Sequence, residues 1–510
     1  MAPVSVYNTP NAQRVLDDIH DSFQLSSEAL VQLTAHQSGY ETYGRPMAMI
    51  PSFVVGVPDG TETGTFLALD LGGTNMRVCE VVLHGDTTFT LRQQKYRVSD
   101  ALKTGEASML FDYLADSVDA FLTSHPPSDA VGASTPVPDV VHLGLTFSFP
   151  VEQSALNSGK ILTWTKGFSA RNAVGHDVVK LLQDAFDRKH MHVKCVALVN
   201  DTVGALLSRA YTGGGCMLGA IFGTGTNGAF VEDVANIKKL ANDPAFARGG
   251  SMIVNTEWGA FNNSRSHLPS TPFDNALDRL SINHRFQAFE KMISGMYLGE
   301  VTRNILVSLI DAAPKALLFS GQTTAVLNAQ WGLDTSVLSG VEEAWEGNDV
   351  TNKALRENPA PRLSAFEDES KLDSALVRRL ERVRAVIVKE VGLSEAHVSL
   401  ADAAIVRWAC YVVTRRAALL SGVAVGAVLV QTGHGVLKGQ EGKPTKNEST
   451  IRVGVDGSLI QFYPHFEEML RESLRCVVGD DVETKVQIGL AKDGSGVGAA
   501  LCALQAVKQS

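Results

Sequence analysis

The segment from Asp70 to Arg77, with the sequence DLGGTNMR, places a carboxylate, two glycines and a cation directly after an apolar run. A turn of this kind lets the backbone approach a ligand closely with its N–H groups pointing outward, which suits a phosphate. The carboxylate of Asp70 is also a ligand type that Mg²⁺ accepts, directly or through water. The alternative is a β-hairpin turn in which the glycines serve only the backbone conformation. The predicted phosphate donors are Gly72, Gly73, Thr74, Asn75 and Arg77.

A second glycine turn, GTGTNG from Gly223 to Gly228, repeats this pattern after the apolar run CMLGAIF. It lacks the lysine of a P-loop and the glycine spacing of the dinucleotide fingerprint, so neither of those nucleotide sites is indicated. Two such turns, one on each side of a candidate acid, favour a phosphate site more strongly than either turn alone. The second set of predicted phosphate donors is Gly223, Thr224, Gly225 and Thr226.

The candidate acid is Asp201, which follows the apolar run CVALV at the end of a predicted strand. A carboxylate at a strand end beside a cleft can accept the proton of an attacking hydroxyl group. The alternative is that Asp201 caps the helix predicted at Thr202 to Leu207, a frequent role of aspartate. This segment alone leaves both interpretations open.

Polar side chains set among aromatic residues mark a third group of segments, LTFSFP and LTWTKGF. Ser148, Thr165 and Lys166 would match sugar hydroxyls inside an apolar wall, which is the usual composition of small-molecule sites. For Trp164 and Phe168, packing in the core is the favoured alternative.

Two acids lie in apolar surroundings further along the chain, Glu257 in VNTEWGAF and Glu290 in FQAFEKM. Buried carboxylates need partners, and either sugar hydroxyls or lysines such as Lys291 can supply them. Gln287 lies about one helical turn before Glu290, so both side chains share a face if this segment is a helix.

The chain of 510 residues, 45% hydrophobic and 20% charged, predicts a globular protein of two or more domains. Its net charge of −10 disfavours nucleic acids and anionic membranes as partners. Six scattered cysteines without a C-x-x-C pair suit reduced thiols in the cytoplasm. The N-terminal residues MAPVSVYNTP predict no signal peptide, and the apolar run from Ala417 to Val430 predicts a buried helix, not a membrane span.

The spacing of apolar residues predicts the elements that hold these side chains in place. Both glycine turns are expected inside strand–turn–strand units, with further strands at VVHLGLTF and KCVALV. An irregular connection is predicted from Gly39 to Gly64 and a surface loop from Ser124 to Pro138. The alternation of strands and helices predicts an α/β protein. Helices are predicted at Asn11 to Gln37, Ser108 to Leu122, Gln287 to Leu309, Leu372 to Glu390 and Ala401 to Val430.

Taken together, these segments resemble the eukaryotic hexokinase and glucokinase family. The match extends from about Phe66 to Val507, with one variable stretch from Glu342 to Val398. The form GTGTNGAF followed by Val231-Glu232 is closer to fungal-type glucokinases than to other branches. The motifs, in family order, are LALDLGGTN, LTFSFP, LTWTKGF, ALVNDTVGAL, GTGTNGAF, NTEWGAF, FEKMISGMYLGE, VGVDGSL and AKDGSGVGAA.

The resemblance implies an actin-like, ribonuclease H-like fold of two domains with a central cleft. Residues 67–202 would form the small domain and 203–492 the large domain, with 1–66 adding an N-terminal helix to the large domain and 493–510 returning to the small one. It implies ATP and Mg²⁺ as cofactors and glucose, with mannose and fructose as further candidates, as the hexose phosphorylated at its 6-hydroxyl. The alternatives are a glucose sensor with weak catalysis and an actin- or chaperone-like ATPase of the same fold, and both a monomer and a homodimer are compatible with the family.

The family motifs assign roles by position. Asp201 matches the catalytic base and Lys166 a helper near the transferring group, and Asp70 would hold magnesium through water. One departure is His284-Arg285, where the family often has Pro-Gly, just before Gln287; another is Met76, where Phe is common. The implied sugar contacts are Ser148, Thr165, Lys166, Asn200, Asp201, Asn227, Glu257, Gln287 and Glu290, and the nucleotide side adds Thr335, Ser339, Ser458, Gly494 and Ser495 to the two glycine turns.

Overall fold

The computed structural model of the protein describes residues 10–37, 47–72, 75–125, 140–164, 167–241, 243–244, 247, 249–347 and 360–509. Four predicted site residues lie outside these ranges: Gly73, Thr74, Thr165 and Lys166. The predicted surface loop from Ser124 to Pro138 also lies outside them from residue 126 onward.

The described chain alternates strands and helices, which confirms the predicted α/β class. The strands are β1 Ile50–Val55, β2 Thr63–Leu71, β3 Asn75–His84, β4 Phe89–Arg97, β5 Val141–Phe147, β6 Val151–Ala155, β7 Ser158–Ile161, β8 Val193–Val199, β9 Leu218–Phe222, β10 Thr226–Asp233, β11 Ser251–Asn255, β12 Ile451–Asp456 and β13 Val486–Leu490. The helices are α1 Pro10–Phe23, α2 Ser27–Gln37, α3 Asp100–Thr104, α4 Ala107–Ser124, α5 Val178–Arg188, α6 Asp201–Gly213, α7 Pro272–Leu280, α8 Ala288–Ile293, α9 Gly295–Ile310, α10 Ala325–Asn328, α11 Ser336–Glu346, α12 Ser374–Val391, α13 Leu400–Gln431, α14 Ser458–Phe462, α15 Phe466–Val478, α16 Asp480–Glu483 and α17 Gly494–Gln509.

Eleven of these strands form two mixed sheets that each contain a parallel core, and β6 and β7 form a separate antiparallel pair. The first sheet has the order β4-β3-β2-β5-β8, with β2, β5 and β8 parallel. The second has the order β1-β11-β10-β9-β12-β13, with β9, β12 and β13 parallel. In each sheet a glycine turn connects a parallel strand to its antiparallel neighbour, β2 to β3 and β9 to β10. The two sheets therefore repeat one structural pattern, and the predicted domain boundaries at residues 67, 203 and 493 stay predictions.

Helices α6 and α17 cross between the sheets at backbone contact. A Cβ atom on Gly498 would lie 2.2 Å from Gly204 Cα, and one on Gly204 would lie 2.5 Å from the Gly494 carbonyl oxygen. Both distances are far shorter than van der Waals contact, so only glycine fits at this crossing. α6 packs against β9 and β12 of the second sheet, and α17 packs against β2, β5 and β8 of the first. The two helices therefore connect the sheets.

Two predictions about the N-terminal region are wrong. The single helix predicted from Asn11 to Gln37 is divided into α1 and α2, because Ser26 caps a new helix by accepting a 3.2 Å hydrogen bond from the Ala29 N–H. Residues 39–46 of the irregular connection predicted from Gly39 to Gly64 lie outside the described ranges, and its remainder contains β1 and the start of β2. β1 is an edge strand, a position where Pro51 is tolerated.

The predicted buried helix from Ala417 to Val430 is confirmed as part of α13. Ser399 and Asp402 form a reciprocal capping box at its start. By length and composition α13 could cross a membrane, but 94% of its most apolar window is buried inside the protein. α13 is thus the central helix of the core around the second sheet.

Candidate active site

The carboxyl ends of three parallel strands in the first sheet bring the predicted acid and two of its neighbours to one edge. In the register of β2 and β5, Asp70 lies beside Thr146, and Thr146 lies beside Val199 of β8. Ser148 therefore follows β5 next to the point where β8 leads into Asp201. Ligand sites of open α/β sheets form at such carboxyl edges.

The residue that caps α6 is Asn200, not Asp201. The Asn200 side-chain oxygen accepts a 2.9 Å hydrogen bond from the Thr202 N–H, the usual function of an N-cap residue. Asp201 is the first helical residue, and its Oδ1 accepts a hydrogen bond from the same N–H at 2.9 Å. The positive end of the helix dipole stabilises a carboxylate at this position. The capping role considered for Asp201 thus belongs mainly to its neighbour.

Asp201 lies on the wall of a cleft of about 300 Å³ that both sheets help to form. The cleft brings together every described residue of the predicted sugar set, and the second glycine turn borders it. The lining residues are Ser148, Phe149, Pro150, Thr163, Trp164, Asn200, Asp201, Ile221, Thr224, Gly225, Thr226, Asn227, Glu257, Gly259, Ile282, Asn283, Phe286, Gln287, Glu290, Met296 and Tyr297.

The second glycine turn is shaped by Glu290 and Trp258. Glu290 Oε2 accepts a 3.1 Å hydrogen bond from the Thr226 N–H, and a Cβ atom on Gly225 would lie 2.9 Å from that oxygen. The Trp258 indole N–H donates to Thr226 Oγ1 at 3.0 Å. One of the predicted sugar acids is therefore bonded to the turn, which joins the predicted phosphate and sugar parts of the cleft.

The carboxylate of Glu257 is held by side-chain amides. The Asn255 amide donates to Glu257 Oε1 at 2.9 Å, and the Asn227 amide donates to Asn255 Oδ1 at 2.8 Å. Amide donors fix a carboxylate without neutralising it, so Glu257 keeps its capacity to accept hydrogen bonds from hydroxyl groups. Asn255 was not predicted, and its only signal in the sequence is its position two residues before Glu257.

Two predicted sugar residues adopt left-handed backbone conformations. Glu257 has a φ of 53° and Gln287 a φ of 55°, and such conformations cost residues other than glycine about 1–3 kcal/mol. Backbone strain of this kind is concentrated at ligand sites. Lys291, the alternative partner considered for the buried acids, donates to Asp278 at 2.7 Å instead.

Two amide oxygens on the cleft wall, Gln287 Oε1 and Asn283 Oδ1, are buried and have no hydrogen-bond partner within the described part of the chain. A buried acceptor without a donor costs about 1–3 kcal/mol. The hydroxyl groups of a sugar are donors that could satisfy both oxygens. Asn283 was missed in the sequence, where nothing distinguishes it from an ordinary loop residue.

The aromatic residues near Ser148 divide between core and cleft. Phe168 is buried and stacks on Trp164 at 5.5 Å between ring centroids, so packing explains it. Trp164 also contacts Phe149 at 5.0 Å, and its indole N–H donates to the Ala170 carbonyl oxygen at 2.9 Å. Because Trp164 lines the cleft as well, it is both a packing residue and part of the wall.

Among the described residues, carboxylates outnumber cations around Arg77, near the predicted nucleotide side of the cleft. Arg77 lies between two of them, with Nη2 2.8 Å from Asp70 Oδ2 and Nη1 3.1 Å from Asp493 Oδ1. Burial raises the pKa of Asp70, Arg77 opposes this rise, and the charges of Asp201 and Asp493 add to it. Burial also raises the pKa of Asp456, where Asp201 and Asp493 again contribute. This excess of negative charge fits a divalent cation, for which carboxylate oxygen is a preferred ligand.

Thr335 is joined to the second glycine turn through the start of α9. The Gly295 N–H donates to the Gly223 carbonyl oxygen at 2.7 Å. The Thr335 hydroxyl donates to the Gly295 carbonyl oxygen and accepts from the Gly299 N–H at 2.8 Å. Thr335 is therefore linked to the second glycine turn through Gly295, in addition to any contact with a nucleotide.

Gly457 approaches the same turn from β12. A Cβ atom on Gly223 would lie 3.0 Å from Gly457 Cα, so the two backbones are in contact. Ser458, the next residue, is exposed, and Ser339 is half-buried in α11. The predicted roles of Ser339 and Ser458 toward a nucleotide stay predictions.

The first glycine turn and the start of α17 have structural contacts of their own. The Gly72 N–H donates to the Asn75 carbonyl oxygen at 3.1 Å and closes the turn. The Ser495 carbonyl oxygen accepts a 2.8 Å hydrogen bond from the Thr146 hydroxyl. Gly494 packs against α6, so the glycines of this motif serve the helix crossing, whatever they contribute to a nucleotide.

The chain is similar to known proteins over almost its whole length. Two family profiles, both described as hexokinase, match residues 15–211 and 217–505. A glucokinase of Aspergillus niger is 40% identical over 488 residues, which cover 91% of this chain and 90% of the relative. Glucokinase-1 of Saccharomyces cerevisiae is 37% identical over 529 residues, which cover 97% of each protein. The solved structure of a hexokinase from Schistosoma mansoni complexed with glucose aligns with a TM-score of 0.78 and 32% identity, over 97% of this chain and 99% of that one.

Proposed function

Because this chain belongs to the hexokinase family and has its actin-like fold of two domains, we propose that it transfers the γ-phosphoryl group of ATP to the 6-hydroxyl of glucose. The products are glucose 6-phosphate and ADP. The observation that carries the proposal is the position of Asp201, which shares one cleft with a glycine turn and with buried amide oxygens that have no donor among the described residues. The relatives named glucokinase, and the relative solved with glucose, support glucose as the hexose.

Asp201 is the general base of the proposed mechanism. Its carboxylate accepts a hydrogen bond from the 6-hydroxyl, orients the oxygen toward the γ-phosphorus and takes the proton as the new O–P bond forms. The other hydroxyls are bound by Glu257, which follows β11, by Gln287 and Glu290 at the start of α8, and by Ser148, which follows β5. Because the sugar is held at several points, the attacking oxygen is oriented before the reaction begins.

The phosphates are bound at the glycine turns by backbone N–H groups other than those of Gly72 and Thr226, which already donate to Asn75 and Glu290. Mg²⁺ fits the carboxylates near Asp70, which would hold it through water, and when bound it supplies charge neutralisation on the phosphate oxygens. Within the described residues no group of three or more His, Cys, Asp or Glu side chains forms a direct metal site. Mg²⁺ usually keeps several water ligands and binds substrate phosphates, so it does not need a site made only of protein side chains. The proposed role of Lys166, which is to assist near the transferring phosphoryl group, rests on the family resemblance.

Water must be kept from the γ-phosphate, since it is also a nucleophile. The proposed solution is closure of the two domains around the sugar, which assembles the site and expels water. The cleft supports this idea because its polar residues come from both sheets, so a bound sugar contacts both.

Replacement of Asp201 tests the proposal. Asp201→Asn should lower kcat by about 10²–10⁴-fold in a coupled assay for glucose 6-phosphate, because the amide cannot accept the proton. Asp480→Asn is the matched control, since Asp480 is also the first residue of a helix but is exposed on the surface. If Asp201→Asn kept kcat within about tenfold of the parent, or about 1.4 kcal/mol of barrier, Asp201 would not be the base. A parent protein that binds glucose without turnover would instead indicate a sensor.

Location, assembly and hexose range are further parts of this proposal. The cysteines in the described part of the chain are all free, and five of the six are buried, which supports a reducing compartment such as the cytoplasm. Light scattering, which measures molar mass in solution, distinguishes a monomer from a homodimer. Steady-state rates with glucose, mannose and fructose in the presence of ATP and Mg²⁺ define the hexose range.

A further inference from the structure

A buried ion pair lies directly behind the sugar side of the cleft, between Lys291 of α8 and Asp278 of α7. Lys291 Nζ lies 2.7 Å from Asp278 Oδ1, and the two side chains are only 5% and 9% exposed. Lys291 follows Glu290 in the chain, so one short helix carries both a proposed sugar acid and this cation. The mechanism above uses neither member of the pair.

The pair forms hydrogen bonds to residues 281, 283 and 285 of the loop between α7 and α8. Lys291 Nζ donates to Ser281 Oγ at 2.9 Å and to the Asn283 carbonyl oxygen at 2.7 Å. Asp278 accepts a hydrogen bond from the Arg285 N–H at 3.1 Å. Residues 281, 283 and 285 are therefore fixed to one buried point, and all three N–H donors of the lysine are used.

The loop needs such support because its backbone is strained. Arg285 has a φ of 56° and Gln287 a φ of 55°, both in the left-handed region. Residues other than glycine keep this conformation only where the surroundings enforce it. The bond from the Arg285 N–H to Asp278 supplies this constraint at the position where the chain departs from the family's glycine.

The residues presented by this loop line the cleft. The side-chain oxygens of Asn283 and Gln287 both belong to the cleft wall, and among the described residues neither has a hydrogen-bond partner. A shift of the loop by a fraction of a hydrogen-bond length would misplace both acceptors together. Neither Lys291 nor Asp278 lines the cleft.

We propose that Lys291 and Asp278 are positioning residues for the hexose, which fix Asn283 and Gln287 against the sugar and so set the affinity for glucose without touching it. This inference rests on the proposed function. Asp278 also contacts Arg265 at 2.5 Å, so removal of Lys291 leaves the carboxylate with one cation, and the variant is expected to fold.

The test is Lys291→Met, with Arg407→Met as the matched control. Arg407 forms a comparable buried pair with Glu342 at 2.6 Å, with side chains 3% and 5% exposed, and neither residue lines the cleft. Lys291→Met should raise the KM for glucose at least about tenfold, with kcat within about threefold and the KM for ATP within about twofold, because lost ground-state binding changes KM alone. Arg407→Met should lower the melting temperature at least as much, because it leaves the buried Glu342 carboxylate without its cation, and should leave the KM for glucose unchanged.

The dissociation constant of glucose, measured by calorimetry without ATP, separates this inference from the proposed function. A parent protein that binds glucose but forms no product would refute the function, and the dissociation constants of the variants would still test the loop. A glucose affinity of folded Lys291→Met within twofold of the parent, or an equal loss in Arg407→Met, would overturn the inference. If Lys291→Met does not fold, Ser281→Ala removes one of its three bonds and should weaken glucose binding about two- to fivefold; no change would overturn the inference.

Discussion

An alanine at Gly259 is expected to displace Gln287 from the sugar. A Cβ atom at this position would lie 2.4 Å from Gln287 Oε1 and 3.1 Å from Glu290 Cβ. Gln287 is only 7% exposed, so its amide has little room to move aside within the wall. Because Gln287 lines the cleft, we expect its amide to shift along the cleft wall, away from the position proposed for contact with a hexose.

The magnitude follows from the loss of one hydrogen bond. A neutral hydrogen bond contributes about 0.5–1.5 kcal/mol, and about 1.4 kcal/mol corresponds to a tenfold change in an equilibrium constant. Gly259→Ala should therefore raise the KM for glucose about 2- to 12-fold. Because the contact is made equally in the ground state and the transition state, kcat should change little.

Steady-state kinetics with varied glucose measure this effect, and Gly340→Ala is the control. Gly340 lies inside α11, where a Cβ atom would have its nearest neighbour at 3.9 Å, so alanine should leave the KM unchanged and stabilise the helix by up to about 1 kcal/mol. The double variant Gly259→Ala, Gln287→Ala should bind glucose no more weakly than Gln287→Ala, since both changes remove one contact. A parent-like KM for Gly259→Ala, or full additivity in the double variant, would refute the reasoning.

Two further predictions concern stability. Asp274 forms two hydrogen bonds of 2.7 Å with Arg416, and although burial raises the pKa of this carboxyl, Arg416 and Thr271 lower it below its usual value. The ionised pair therefore stabilises the fold above about pH 4, and this contribution is lost as the pH falls further. In thermal scans between about pH 6 and pH 3, the melting temperature of Asp274→Asn should fall less steeply with decreasing pH than that of the parent. An equally steep fall in both proteins would contradict the assignment. Gly498→Ala should lower the free energy of unfolding by roughly 1–3 kcal/mol in urea titrations, because the added methyl group meets Gly204 Cα at 2.2 Å, and a variant as stable as the parent would argue against the helix crossing described above.

The glycine hairpins could be predicted because each one joins an uninterrupted apolar run to glycines, a local signal that the tertiary structure does not override. β1 could not be predicted, since Pro51 and Ser52 interrupt its pattern and its conformation depends on pairing with β11. The Ser52 hydroxyl donates to the Ile253 carbonyl oxygen, 201 residues further along the chain. The division between α1 and α2 was also hidden, because the residues between them include neither proline nor glycine.

At the site, the residue types indicated the chemistry, but the hydrogen-bond and charge partners of these residues are brought together only by folding. Asp201 and Glu257 stood out as acids at the ends of apolar runs. Asn255 and Asp493 did not, because an amide or a carboxylate becomes part of a site only through neighbours that are distant in the sequence. Asn200 and Asp201 are both good caps by residue type, and only the backbone of α6 assigns the role to Asn200.

The contact between α6 and α17 has a consequence for catalysis. Gly204 lies three residues after Asp201 in the same helix, and it touches α17 with no side chain in between. Because α6 is a continuous helix, a displacement at Gly204 would also move its first turn, so the packing at this contact helps to fix the position of the Asp201 carboxylate. A single methyl group added at this contact is therefore expected to change the position of the Asp201 carboxylate as well as the stability of the fold.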